Sequence, residues 1–381
     1  MKQEIKKLLF ICFTKSHYLM AKEIVHELNQ LNNIKPETYI ICSGYIYNDK
    51  DNITNEKLFS KYYFVYEHPS YFNKLKFIEL RKLIFKVTNI AKMIMPEIIM
   101  TFSDNPPLYQ NLFYKMKNKS KIVLFHEGYG DYSDVNITFK GFLAFLFQKI
   151  TIFPYPFKII TRSYTDYYNY SFLLYPELIK RDHQFKKYKI SKNFMKNVYS
   201  SKSVTSVLDE KSIFLCLSAK DWLSSKLQNY FEKVLTDLNK LPFNTYMKIA
   251  PHQSYESYKK ILDKYIKINL IDDNENTSET YCLDKRFDFI ITDESSAVIN
   301  ALFIGLNKGV YFLNKEIETN GFYKYDKNDL IKHLSEEGSI KQIGIEDVCR
   351  EIKLNKSNFN CINMNENIKS ISDNIMEILN D

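Results

Sequence analysis

KKLLFICFTKSHYLMAKEIVHELNQL, residues 6–31, holds the pattern that decides the fold. KKLLFICF (6–13) is a compact apolar run of strand-forming residues. TKSH (14–17) interrupts it, and YLMAKEIVHELNQL (18–31) then carries apolar residues at helical spacing. This is a strand–loop–helix unit. The same alternation returns downstream, with strands expected at TYIICSG (38–44), KYYFVYEHP (61–69), EIIMTFSD (97–104) and KIVLF (121–125). A helix-like segment, Leu108–Met116, precedes the last of these. Short apolar strands alternating with helices imply a doubly wound parallel sheet.

A second α/β pattern opens at SIFLCLSAK (212–220). Helix Trp222–Leu238, strand 244–252, helix Tyr255–Tyr265 and strand 267–272 follow. Next come a short helix near 278–284, strand 287–296, helix Ala297–Gly305 and strand 309–314. The expected organisation is an N-terminal Rossmann-like domain (1–185), a polar linker (186–211), a C-terminal Rossmann-like domain (212–360) and a final helix (361–381), with the two domains facing across a cleft. The Phe-rich stretch 139–160 reads either as a core helix with its turn or as a surface helix dipping into a membrane interface.

At 381 residues, the chain is long enough for two domains with cores of their own. Lys and Arg number 53 against 45 Asp and Glu, a formal charge of +8. Only five of the 53 are arginine, and no clustered basic stripe suggests nucleic-acid binding. None of the six cysteines forms a C-x-x-C pair, which points to structural thiols in a reducing compartment. The start, MKQEIKKLLFICF, is too short in its apolar part to span a bilayer and lacks a cleavage site. A cytoplasmic protein, peripheral at the inner face of the membrane, is expected.

Ligands of open α/β sheets sit at the carboxyl ends of the strands. Four strand ends carry chemistry: Thr14-Lys15-Ser16-His17, His126-Glu127-Gly128, Pro251-His252-Gln253 preceded by Lys248, and Asp293-Glu294-Ser295-Ser296. A hydroxyl pair opening a helix is an ordinary N-cap and also a good phosphate seat. No Gly-rich dinucleotide fingerprint, P-loop, G-x-S-x-G elbow or DxD motif is present. Metal-free chemistry without a cofactor is therefore expected.

The landmarks TKSHYLMAKEI, HEGYGDY, KIAPHQ and DESSAVINALFIG, in this order, resemble motifs of the bacterial GT-B sialyltransferases, in particular the group of lipooligosaccharide sialyltransferases and capsular polysialyltransferases. That resemblance implies an inverting glycosyltransferase moving sialic acid from CMP-sialic acid to a glycan or glycolipid acceptor. It implies Glu127 or His126 as the base that takes the acceptor proton, and His252 as the group that hydrogen-bonds or protonates the leaving phosphate. Ser295 and Ser296 would hold that phosphate, Lys248 would add charge and Glu279 would contact the ribose. Ser218, from its position after a strand, would border the base. Ser16, His17 and Gly128 would face the acceptor. Two positions depart from the motif: His126 stands where a first acid is expected, and Gln253 where a proline is. The alternatives are a GT-B transferase with another donor, such as CMP-Kdo or a UDP-sugar, and a non-catalytic scaffold protein of a capsule complex.

Overall fold

The computed structural model describes residues 5–31, 35–43, 46, 50–65, 77–102, 107–126, 133–137, 139, 143, 167–179, 185–199, 211–218, 222–225, 227–250, 253–273, 276–293, 295–313, 323–354, 359–360 and 368–381. The chain divides into two compact units. Unit 1 comprises Met1–Phe194, Glu318–Asn328 and Glu366–Asp381; unit 2 comprises Met195–Ile317 and Asp329–Asn365.

The strands of unit 1 are β1 (Lys7–Cys12), β2 (Glu37–Ser43), β3 (Lys61–Val65), β4 (Ile98–Thr101), β5 (Lys121–Phe125), β6 (Ser133–Ile137), β7 (Tyr170–Leu173) and β8 (Lys186–Lys189). Seven of them form one sheet in the order β3-β2-β1-β4-β5-β7-β8, with every pairing parallel. Central strands are buried on both faces, so β1 and β4 read as near-continuous apolar runs. Helices α1 (Lys15–Gln30), α2 (Lys50–Asn55), α3 (Phe77–Ile94) and α4 (Pro107–Met116) connect the first five strands. Thr14 caps α1, its hydroxyl accepting from the His17 N–H at 3.3 Å.

Helix α5 (Lys192–Tyr199) leads towards unit 2. There β9 (Ser212–Cys216), β10 (Asn244–Lys248), β11 (Ile268–Leu270), β12 (Phe289–Thr292), β13 (Gly309–Leu313) and, later in the chain, β15 (Lys341–Ile343) make a parallel sheet in the order β11-β10-β9-β12-β13-β15. Helices α6 (Gln228–Asn239), α7 (Tyr255–Leu262), α8 (Ser278–Leu283), α9 (Ser296–Ile304), α10 (Asp329–Glu336) and α11 (Ile345–Lys353) belong to this unit. Gly305, at φ 111°, closes α9 in the left-handed conformation that glycine adopts without strain. Trp222, Phe231, Val234, Leu238 and Ile291 are fully buried in the core.

Several elements differ from the sequence reading. Residues 186–211, read as linker, contain β8 and α5; the KKYK of β8 is polar because it is the edge strand of its sheet. The helix expected from Trp222 begins only at Gln228, because Trp222 is drawn back, its Nε1–H donating to the Ser218 carbonyl at 3.0 Å. Strand β14 (Tyr323–Asn328) pairs antiparallel with β6 and so belongs to unit 1. The final helix, α12 (Ile371–Asn380), also belongs to unit 1, where it packs on α1. Of 139–160, only Phe139 and Leu143 are among the described residues, and both are exposed.

Candidate functional site

In each sheet the strand order reverses once. The switch falls between β1 and β4 in unit 1 and between β9 and β12 in unit 2. Parallel sheets of this kind bind ligands just beyond such a point.

In unit 2 the switch point holds a clasp. Ser218, just past β9, donates its backbone N–H and its hydroxyl to the two oxygens of Asp293, each at 2.6 Å. Asp293, just past β12, is buried and lies two residues before the N-cap of α9. These donors and the positive end of the helix stabilise its charge. Burial, with the Asp293 charge adding to it, pushes the Tyr230 hydroxyl up to about 12. Ser295 occupies the N-cap position of α9 but makes no side-chain cap bond; its Oγ lies 3.3 Å from the Cys216 thiol instead. Ser296 is the first residue of the helix. Ser218, Asp293, Ser295 and Cys216 are thus gathered at one place.

Two further clusters flank the same strands. Lys248 ends β10, where its ammonium donates to the Asp273 carbonyl and lies 5.4 Å from the centre of the Tyr281 ring. The Asp273 carboxylate accepts from Asn276 and from the Tyr281 hydroxyl. Burial, then this bond, pushes the Tyr281 hydroxyl up. Glu279, in α8, is buried and accepts from Asn300 Nδ2 of α9 at 3.2 Å. Asn300 Nδ2 also donates to the Tyr199 hydroxyl at 3.4 Å. Gln253 clamps the loop after β10. Its Oε1 accepts from the Ala250 N–H, its N–H donates to the Ala250 carbonyl and its Nε2 donates to the Tyr258 hydroxyl, each at 2.9 Å. An amide here does the restraining that a proline would do through its ring. His252, between these anchors, lies outside the described residues.

In unit 1, Ser16 is half-buried in the first turn of α1, and His17 is buried. His17 Nδ1 accepts from the Phe13 N–H at 3.2 Å, and its ring stacks on Phe102 at 5.3 Å. Burial lowers the imidazole to about 3. His17 is therefore neutral and turned inward at the β1–β4 switch point. Phe102 in turn lies 5.6 Å from Phe125, the last residue of β5. His126 follows it, buried, its backbone N–H still donating to the Phe172 carbonyl of the neighbouring strand β7 at 2.8 Å. Glu127 and Gly128 lie outside the described residues.

At the other end of the unit 2 strands is a cavity of about 300 Å³, lined by Lys211, Asp288, Phe289, Lys308, Gly309 and Phe359 among others. Lys308 donates to the Cys282 and Asp284 carbonyls, and burial lowers its ammonium to about 8. Gly309 is required by space, since a Cβ there would meet the Phe289 ring at 2.9 Å.

Among the described residues, no group of three or more His, Cys, Asp or Glu could hold a metal ion, and no helix is long and apolar enough to cross a membrane.

Sequence reasoning placed Asp293 at a strand end with Ser295 but gave it no role of its own; the structure makes it the partner of Ser218. The signal for that role was a carboxylate directly after a buried strand and just before a helix, the Asp of DESS.

No family model matches the sequence, and no curated protein matches it. Solved structures do match. UDP-GlcNAc 2-epimerase from Neisseria meningitidis, bound to UDP-GlcNAc, is 15% identical with a TM-score of 0.65, covering 98% of this chain and 99% of that one. The Methanocaldococcus jannaschii UDP-GlcNAc 2-epimerase, in complex with UDP-GlcNAc and UDP, is 15% identical with a TM-score of 0.62 and covers 98% and 99%. S. aureus MnaA with UDP is 14% identical with a TM-score of 0.58 and covers 92% and 88%. The fold is GT-B. The resemblance to sialyltransferases does not hold: the Neisseria meningitidis and Methanocaldococcus jannaschii structures, matched over nearly their whole length, are UDP-GlcNAc 2-epimerases, which are isomerases, and CMP-sialic acid transfer falls with it. The short strand-end motifs report a geometry that GT-B proteins share, and a fold does not specify its substrate.

Proposed function

We propose that the chain is an enzyme acting on a UDP-sugar, with epimerisation of a UDP-N-acetylhexosamine at C2 as its reaction. The observation that carries this reading is the edge of unit 2 at the β9–β12 switch point. There the Asp293–Ser218 clasp fixes the strand ends beside the start of α9, whose N-cap residue, Ser295, makes no side-chain cap bond. A diphosphate suits a helix start of this kind, with its N–H donors and positive dipole. Glu279, a buried carboxylate on the neighbouring α8, suits the ribose hydroxyls. Proteins of the same fold carry UDP and UDP-GlcNAc in their solved structures.

Inversion at C2 needs the C2 hydrogen to leave as a proton. With no carbonyl beside C2, the electron pair of that bond expels UDP from C1 and forms a C1=C2 double bond. UDP then re-adds at C1 as a proton returns to the opposite face of C2. His126, Glu127 and His252 are the candidate acid–base groups, since a positioned imidazole or carboxylate accelerates such a transfer by roughly 10²–10⁴-fold. The test is NMR of UDP-GlcNAc incubated with the protein in D₂O. The expected result is deuterium at C2 together with signals of the C2 epimer. Saturation-transfer spectra with UDP and CMP provide the binding arm. Binding to CMP with none to UDP would refute the nucleotide assignment. UDP binding without deuterium at C2 would refute epimerisation and favour transfer from a UDP-sugar donor.

A further inference from the structure

We propose that the outer face of α3 and α4 in unit 1 docks on an anionic lipid surface. This inference rests on the surface alone and is independent of the reading of unit 2.

The charge of the chain is not spread evenly. Residues 77–126, which hold α3 and α4, contain eight Lys and Arg against three acids, Glu79, Glu97 and Asp104. That excess of five is more than half of the formal net charge of +8. The two helices lie side by side, since α3 packs against α4, with the Thr88 hydroxyl donating to Asn111 Oδ1 at 3.4 Å. On α3, Ile84, Val87, Ala91 and Ile94 are buried. Arg81, Lys82, Lys86 and Lys92 point outward on the opposite arc. Lys115, in the last turn of α4, and Lys117, just past its end, are exposed.

Apolar side chains stand among these cations. Phe85, Met93 and Tyr114 are 46%, 63% and 37% exposed, where an ordinary solvated face would be polar. The Arg81 guanidinium lies 5.9 Å from the Phe85 ring centre, and the Lys117 ammonium 5.1 Å from that of Tyr114. Directly after α3, Met95 has φ 52°, a left-handed backbone that suits glycine or asparagine, yet its large apolar side chain is half-exposed there. Cations to meet lipid phosphates, with aromatic and Met side chains to enter the headgroup layer, form the surface of an interfacial binder. A second copy of the same face would meet like charges, which disfavours self-association. With no helix among the described residues able to cross a bilayer, contact through this face would be peripheral.

The experiment is flotation of the full chain with vesicles of phosphatidylcholine containing about 30% phosphatidylglycerol, and with phosphatidylcholine alone. Binding is expected on the anionic vesicles, absent on the neutral ones and released by 0.5 M salt, where the screening length falls to a few ångströms. Each lysine near such a surface contributes about five-fold in partitioning, so the combined variant Lys82→Gln, Lys86→Gln, Lys117→Gln should lose roughly 100-fold. Phe85→Ser should also weaken binding with its charge intact. All four side chains are exposed, and circular dichroism verifies that the variants fold. The proposal is overturned if anionic vesicles do not bind the wild type, if the triple variant binds equally well, or if light scattering shows a dimer that Phe85→Ser dissolves.

Discussion

Lowering the pH from 7 to 5 should weaken unit 1 through one residue, His17. In the folded chain its imidazole stays neutral until about pH 3, because it is buried against Phe102 with its Nδ1 already taken by the Phe13 N–H. In the unfolded chain an imidazole titrates near 6.5. Below that pH the unfolded state binds a proton that the folded state refuses, so stability falls as pH falls, throughout the window from about 6.5 down to about 3. At pH 5 the unfolded state gains about 2 kcal/mol by this route. The figure depends only on the folded value lying well below 5. His17→Asn is the matching variant, because its Oδ1 can accept from Phe13 while having no proton to gain. Loss of the ring stack lowers its stability at both pH values, so the informative quantity is the change between them. Hydrogen exchange of the β1 and β4 amides, read as opening free energies in each protein, isolates unit 1. The wild type should lose about 2 kcal/mol more than the variant on going from pH 7 to 5. Equal losses in the two proteins would refute the account, as would an NMR titration placing His17 near 6.5.

Asp293→Asn removes the charge from the Ser218 clasp and leaves one of its donors facing an amide N–H. A cost of about 1.5–3 kcal/mol is expected, as for hydrogen bonds to charged groups. Trp222, the single tryptophan, is hydrogen-bonded to the Ser218 carbonyl and should report the loss by fluorescence in urea; an unchanged midpoint would sink the assignment. Lys308, lowered to about 8 by burial, should react with an amine-directed acylating reagent along a rate profile whose midpoint lies near pH 8. Exposed Lys233, held up by its bond to Glu346, serves as the internal reference, and a Lys308 midpoint near 10 would contradict the burial effect.

The parallel strands were legible because burial on both faces leaves little but apolar residues in them, as in β1 and β12. Strand β14 was not, because YKYDKN finds its partner in SDVNI, some 190 residues earlier, and local periodicity carries no trace of that pairing. Polar β8 was hidden for a related reason: an edge strand need not be apolar. Strand-end positions in the site were readable, but the direction and use of their side chains were not. Ser218 and Lys248 both stand where expected, yet both are engaged by protein partners that lie distant in sequence. For His17 a signal existed. Positions 17, 20, 21, 24, 25 and 28 form one helical face, and all of them are buried, so the spacing already turned this histidine inward.

Helix α12 gives the chain an order of assembly. Its Ile378 carbonyl accepts from Lys121, 257 residues earlier, its Ser372 N–H reaches Glu27, and its Glu377 meets Lys186. The strands of unit 1 emerge early in synthesis, but the helix that seals α1 is made only after nearly all of unit 2. Unit 1 must therefore wait on the ribosome with an apolar flank uncovered, while the central stretch of unit 2 becomes available to close first. Vectorial synthesis and domain numbering run in opposite directions here: the unit begun first is the unit completed last.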